Sequence, residues 1–234
     1  MGPDQIGAHM LFDWNVNSDI DVTIVFNKST TWDENQANDT TTVSRVEEYT
    51  DKLGRVVCKK VYEQTDEHAT YYVYDELGNL AYVVPPKVDL SDGISSTELD
   101  ELCFRYSYDG RNRMIEKKVP GAGVVYMVYD TRDRLVLTQD SVQRAETPTK
   151  EWTFTKYDVL NRPVMTGIYQ SNSSHSSLQA TVMAKTGTAL FESFGTGYTD
   201  GYSNRSFPTS GVSKKLTVTY YDNYDFTSLT GFGT

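Results

Sequence analysis

Along much of this chain, short runs alternate apolar or aromatic residues with polar ones, and each run stops at a cluster of turn-forming residues. The clearest case is Thr70-Tyr71-Tyr72-Val73-Tyr74, then Asp75-Glu76-Leu77-Gly78-Asn79, then Leu80-Ala81-Tyr82-Val83-Val84. Period-two runs rich in Tyr, Val and Thr favour a pleated strand over a helix. The pattern therefore predicts a β-hairpin with its turn at Asp75. One hairpin cannot bury its own apolar face, so neighbours must stack side by side into a larger sheet. The fold class expected is all-β, built mainly of antiparallel hairpins.

The turn recurs, which makes the chain an internal repeat. Its copies begin at Asp51, Asp75, Asp109, Asp130, Asp158 and Asp222, with Tyr before the Asp in five of the six. An Asp at the first turn position accepts hydrogen bonds from amides further on. The fourth position holds Gly54, Gly78, Asn112, Asp133, Asn161 and Asp225. All are residue types that tolerate positive φ. A basic residue follows in four copies, as Arg55, Arg113, Arg134 and Arg162.

Two interruptions predict short helices. Ser96 or Thr97 is placed to cap a helix near 96–102 carrying Leu99 and Leu102, and a second is expected near 177–191. A longer, degenerate turn is read at Tyr198-Thr199-Asp200-Gly201-Tyr202-Ser203-Asn204-Arg205. Leu216 to Tyr221 returns to alternation, with Leu216, Val218 and Tyr220 on one face. Residues 1–10, ending Ala8-His9-Met10, read as an expression-vector remnant. Residues 11–48 are expected to hold one strand, Asp21 to Phe26, and a polar loop, Thr30 to Thr42. Residues 49–226 form the repeat region, with insertions at 87–102 and 170–214, and 227–234 read as a truncated C-terminal end.

The repeated Tyr-Asp-x-x-Gly/Asn/Asp-Arg turns resemble the YD repeats of the RHS (rearrangement hotspot) family, over roughly residues 45 to 226. Val84-Pro85-Pro86-Lys87 after one repeat is similar to the large RHS proteins of Bacteroidetes. The resemblance implies a sheet that winds in a spiral and encloses a C-terminal effector or toxin domain, in a secreted or cell-surface protein. It implies that the partners are the rest of the parent chain: further repeats and the effector. The Asp-Pro-x-Gly segment of the family's autoproteolytic core does not occur here.

Composition narrows the function classes. A net charge of −10 argues against a nucleic-acid or anionic-membrane partner. Seventeen tyrosines suit strands with a half-buried aromatic face. No apolar run is long enough to span a membrane as a helix. Cys58 and Cys103 both fall in strand-like runs and read as buried thiols packing as small hydrophobes, the alternative being a bridge if the protein is exported. Apart from His9, only His68 and His175 occur, both in polar segments read as loops and neither beside a nucleophile motif. Asp33-Glu34-Asn35 and Asn38-Asp39 miss the calcium-loop spacing and read as solvated loop. No catalytic, cofactor-binding or metal-ligating residue is assigned, and no cofactor is expected. The reading is a structural, non-enzymatic segment. Its alternative is a surface carbohydrate- or protein-binding module, with tyrosines stacking on sugars. The strand Leu216 to Tyr221, free of proline, is expected to support weak self-association through its edge.

Overall fold

The computed structural model describes residues 27–32, 44–63, 66–91 and 93–221. The strand expected at Asp21 to Phe26, most of the polar loop, His9 and the turn from Asp222 to Asp225 lie outside them. The chain divides into two compact units: Met1–Ser107 with Lys118–Ala122, and Tyr108–Lys117 with Gly123–Thr234. The fold is all-β, its strands pairing antiparallel with their sequence neighbours.

The first unit holds β1 (Asn27–Trp32), β2 (Ser44–Thr50), β3 (Val56–Glu63), β4 (Asp66–Tyr74), β5 (Leu80–Val84) and β6 (Phe104–Tyr108). Asn27 pairs with Thr50 and Trp32 with Arg45, so Thr30 to Trp32 are strand and not loop. His68 is also in a strand, opposite Val61, where a loop was expected. The segment between β5 and β6 forms helix α1 (Ser96–Glu101) through a capping box of Ser95 and Glu98. Its Leu99 and Leu102 pack with Val84, Val88 and Cys103. Cys58 and Cys103 are free and buried, and burial pushes both thiols up from their usual range.

The second unit holds β7 (Met114–Lys118), β8 (Val125–Tyr129), β9 (Leu135–Gln139), β10 (Glu151–Tyr157), β11 (Pro163–Gln170) and β12 (Val212–Val218). Its core gathers Val128, Leu137, Trp152, Phe154, Val164 and Met165 from the strands, with Leu178 and Val182 from a helix. That helix, α3 (His175–Met183), is followed by a 3-10 turn at Gly187–Leu190, shorter than the single helix expected over 177–191. His175 begins α3 instead of lying in a loop. Its ring stacks on Tyr126 at 4.9 Å, and its Nε2 sits 2.8 Å from the Met127 carbonyl.

A further helix, α2 (Ser141–Ala145), was not expected. Asp140 caps it, accepting from the Gln143 amide while the Gln143 side chain accepts from the Asp140 amide. Asp140-Ser141-Val142-Gln143 is a legible capping box, obscured by the helix having only five residues.

The last strand also differs. β12 starts at Val212, and Leu216 is exposed instead of sharing a face with Val218 and Tyr220. Thr166 faces Thr217 while Gly167 faces Lys215, so Leu216 is the extra residue of a β-bulge. Gly167 is what brings β12 so close: a Cβ there would meet the Lys214 carbonyl at 2.3 Å and the Phe154 ring at 2.6 Å.

Candidate functional site

Two constellations concentrate the polar chemistry of the described residues: the repeated turns and a buried charge cluster in the second unit.

Five turns share one geometry. In each, Asp Oδ1 accepts from the amides two and four residues on, as from Leu53 at 2.9 Å and Arg55 at 2.9 Å in the first copy. The Asp amide donates to the carbonyl four residues on, closing the hairpin. Positive φ falls where the sequence put it: 77° at Gly54, 85° at Gly78, 58° at Asn112, 61° at Asp133 and 64° at Asn161. The arginine after it turns back, its Nε donating to Asp Oδ2 at 2.7 to 2.8 Å in all four arginine copies. In the remaining copy Asn79 Nδ2 takes that role at 3.0 Å. The carboxyls of Asp51, Asp75 and Asp109 lie below their usual range, because the hydrogen bonds they accept outweigh a larger single effect of burial in the other direction.

Each arginine also completes the next repeat. The guanidinium of Arg55 lies over Tyr74, Arg113 over Tyr129, Arg134 over Tyr157 and Arg162 over Tyr221, at 4.4 to 4.9 Å from the ring centroids. The same tyrosine hydroxyls donate to the carbonyl one residue past the preceding arginine: Val56, Met114, Leu135 and Pro163, at 2.8 to 3.0 Å. The repeat tyrosine is thus placed by the previous turn and not by the core. In β10 the buried positions are Trp152, Phe154 and Lys156, whereas Tyr157 takes the other face.

The second constellation was missed by sequence reasoning. Lys156 and Glu192 form an ion pair, Nζ to Oε1 3.1 Å, with side chains 1% and 0% exposed. Glu192 also accepts from Ser203 Oγ at 2.7 Å, the Arg205 amide at 3.0 Å, the Ser206 amide at 3.0 Å and Ser206 Oγ at 2.7 Å. Lys156 Nζ donates a second bond to Asn204 Oδ1 at 2.5 Å. Burial pushes the Lys156 ammonium down from its usual range. Burial lifts Glu192, but the Lys156 charge and the serine bonds outweigh it and hold the carboxyl below its usual range.

One half of this cluster was legible: Trp152-Thr153-Phe154-Thr155-Lys156 sets the lysine in phase with two aromatics at period two. Glu192 carried no signal. The degenerate turn at Tyr198 to Arg205 is not a copy of the repeat. It forms a 3-10 turn at Thr199–Gly201, with Asp200 at φ 56° and Asn204 at φ 52°, and its last residues wrap the Glu192 carboxylate.

In the first unit, Glu47 is buried among Lys28 (2.8 Å), Arg45 (2.9 Å) and Tyr49 (2.9 Å). The Lys28 hydrogen bond, with those of Arg45 and Tyr49, outweighs burial and holds its carboxyl down to about 2. Among the described residues no group of three or more His, Cys, Asp or Glu is placed to hold a metal ion. No described helix is long and apolar enough to cross a membrane.

No protein-family model matches the chain, and no curated protein matches it. Among the solved structures similar to part of it are two toxin complexes. One is the crystal structure of a TcdB2-TccC3-TEV complex, at 15% identity and a TM-score of 0.40. The other is the Tc holotoxin pore of Photorhabdus luminescens carrying a TccC3 mutation, at 16% identity and a TM-score of 0.43. Each likeness covers 56% of this chain and 6% of the other.

Proposed function

We propose that this chain is a non-enzymatic structural segment of a large secreted or cell-surface protein of the RHS type, whose hairpins build the wall of a shell around a C-terminal effector. The observation that carries the reading is that the arginine of one repeat holds the tyrosine of the next, four times in the described residues. Such a ladder extends by adding identical steps, as a wall does. The carboxylates that recur in the sequence are committed to backbone amides and arginines, which gives them a structural task. The repeat tyrosines have one ring face under a guanidinium and their hydroxyls on carbonyls, which favours the wall over a sugar-stacking surface. The partners are then further repeats and the enclosed domain of the same parent chain. β12, the last strand in the order of the described residues, supports at most weak, concentration-dependent self-association.

Electron microscopy and limited proteolysis of the natural full-length polypeptide test this reading. A hollow shell containing these residues in its wall, with a protease-resistant interior segment, is the expected result. An extended molecule with no enclosed segment overturns it.

A further inference from the structure

The Lys156 cluster has a feature that an ion pair alone does not require. The amine is held between a carboxylate and a carboxamide, 3.1 Å from Glu192 Oε1 and 2.5 Å from Asn204 Oδ1. A carbonyl carbon lies about 1.2 Å from its oxygen, so Asn204 Cγ is near the separation of a near-attack arrangement, about 3 to 3.5 Å. The segment after Tyr202 fixes this geometry. Ser203 Oγ, the Arg205 amide and Ser206 grip the two Glu192 oxygens on either side of Asn204 in sequence. The Asn204 amide is oriented with its oxygen toward the lysine and its Nδ2 donating to the Thr209 carbonyl at 3.2 Å. Lys156 and Glu192 are sealed from solvent, whereas Asn204 belongs to an exposed turn.

We propose that Lys156 and Asn204 join through a side-chain amide bond, an intramolecular cross-link that the folded chain makes once and without a partner, with Glu192 carrying the proton. The Lys156 ammonium passes a proton to Glu192 Oε1, and the freed amine lone pair attacks Asn204 Cγ. Glu192 returns the proton to the amide nitrogen as the Cγ–Nδ2 bond breaks. Ammonia leaves through the exposed side and takes up the second proton of the former ammonium group. One carboxamide and one ammonium become one secondary amide and one ammonium ion, and no oxidant or co-reactant is consumed. The dry, low-dielectric surroundings of Lys156 and Glu192 favour the neutral amine over the ammonium, while the exposed side of Asn204 gives ammonia its way out. The link ties β10 to the segment preceding β12 and reinforces the second unit against pulling or heat, independently of any shell.

Intact-mass and peptide mass spectrometry of the purified wild-type chain, folded and incubated for days, provide the test. The expected result is a protein lighter by one ammonia, whose digest contains a single branched peptide joining Lys156 to Asn204. Asn204→Ala and Glu192→Gln are each expected to reduce the branched peptide from near-complete conversion to none. A full, unreacted wild-type mass overturns the proposal. So does ammonia loss with Lys156 recovered in an unbranched peptide, because a succinimide at Asn204 loses the same mass without linking anything. Persistence of the branched peptide in Glu192→Gln overturns the role of Glu192. The wild-type measurement decides the cross-link even where a variant fails to fold.

Discussion

The turns of the first unit and those of the second meet one backbone requirement with different residues. At the positive-φ position the first unit has Gly54 and Gly78, and the second has Asn112, Asp133 and Asn161. Glycine adopts this conformation without strain, whereas Asn and Asp pay a modest steric cost. The second unit gains an acceptor in return. Arg113 donates to Asp133 Oδ1 at 2.9 Å, and Arg134 to Asn161 Oδ1 at 3.0 Å, so consecutive turns are tied by side chains as well as by the tyrosine stack. In the first unit the equivalent arginine, Arg55, faces Gly78, which offers no side-chain acceptor. The second unit also holds a buried charge cluster around Lys156. Asp133 and Asn161 meet the positive-φ requirement and also accept from the arginine of the preceding turn, a contact that Gly78 cannot offer Arg55.

The largest expected effect breaks the second unit alone. Glu192→Ala strands the Lys156 ammonium in the interior, and removing one partner of a buried pair costs about 3–5 kcal/mol. Hydrogen exchange read separately over β10 and β11 and over β3 and β4 checks this. Protection is expected to fall in the former and stay in the latter. Equal loss in both would mean that the charge cluster does not belong to one unit energetically.

Next in size is the contrast between two copies of the same aspartate. Asp130 is buried with Arg134, the two making a salt bridge of 2.5 Å, while Asp51 and Arg55 are partly exposed. Asp130→Ala leaves a buried guanidinium short of its partner and is expected to cost about 3 kcal/mol, near the upper value for hydrogen bonds to charged groups. Asp51→Ala is expected to cost about 1 kcal/mol, the usual worth of a capping side chain. Urea melts of the two variants returning equal losses would remove burial as the reason the copies differ.

Acid is expected to weaken the pairing of β1 with β2 in the first unit through Glu47. Glu47 is held down to about 2, below its ordinary 4.5, chiefly by Lys28. A carboxylate with a depressed folded value contributes stability that is present above its unfolded value and lost as pH falls through the folded one. Pairing of β1 with β2 should therefore weaken progressively between about pH 4.5 and about pH 2. Amide protection in Ser44–Thr50 followed by nuclear magnetic resonance through this window is the check, and a Glu47→Gln variant should show a flatter profile.

The smallest effect sharpens the comparison in both directions. Gly78→Asp gives Arg55 the acceptor that Arg113 already has. The new Cβ meets only the far end of Arg55, at 3.3 Å, which can move. The gain from the ion pair is offset by strain at a φ of 85°, so a change within about 0.5 kcal/mol is expected, the scale of an exposed pair. Asp133→Gly removes the acceptor shared by Arg111 and Arg113 and is expected to destabilise by a similar amount. Thermal melts showing both variants destabilised by more than this would mean that the rung is not set by that side chain.

The sequence alone determined the hairpins, their turn type and the residues at positive φ, because these rest on contacts within five residues. An aspartate reaching the amides two and four positions on needs nothing beyond its own turn. The role of the arginines was visible only as a recurrence, since the tyrosine each one covers lies between 16 residues (Arg113 to Tyr129) and 59 residues (Arg162 to Tyr221) along the chain. The bulge at Leu216 was hidden for the same reason: strict alternation in one strand says nothing of an extra residue forced by its partner. Lys156 could be placed on an inward face from its phase with Trp152 and Phe154, yet a lysine there is intelligible only with Glu192. That partner lies 36 residues away in a stretch without periodicity. Tertiary structure decided the cluster because its members satisfy one another and not their own neighbours, and a buried charge of this kind can exist only after the surrounding core has closed.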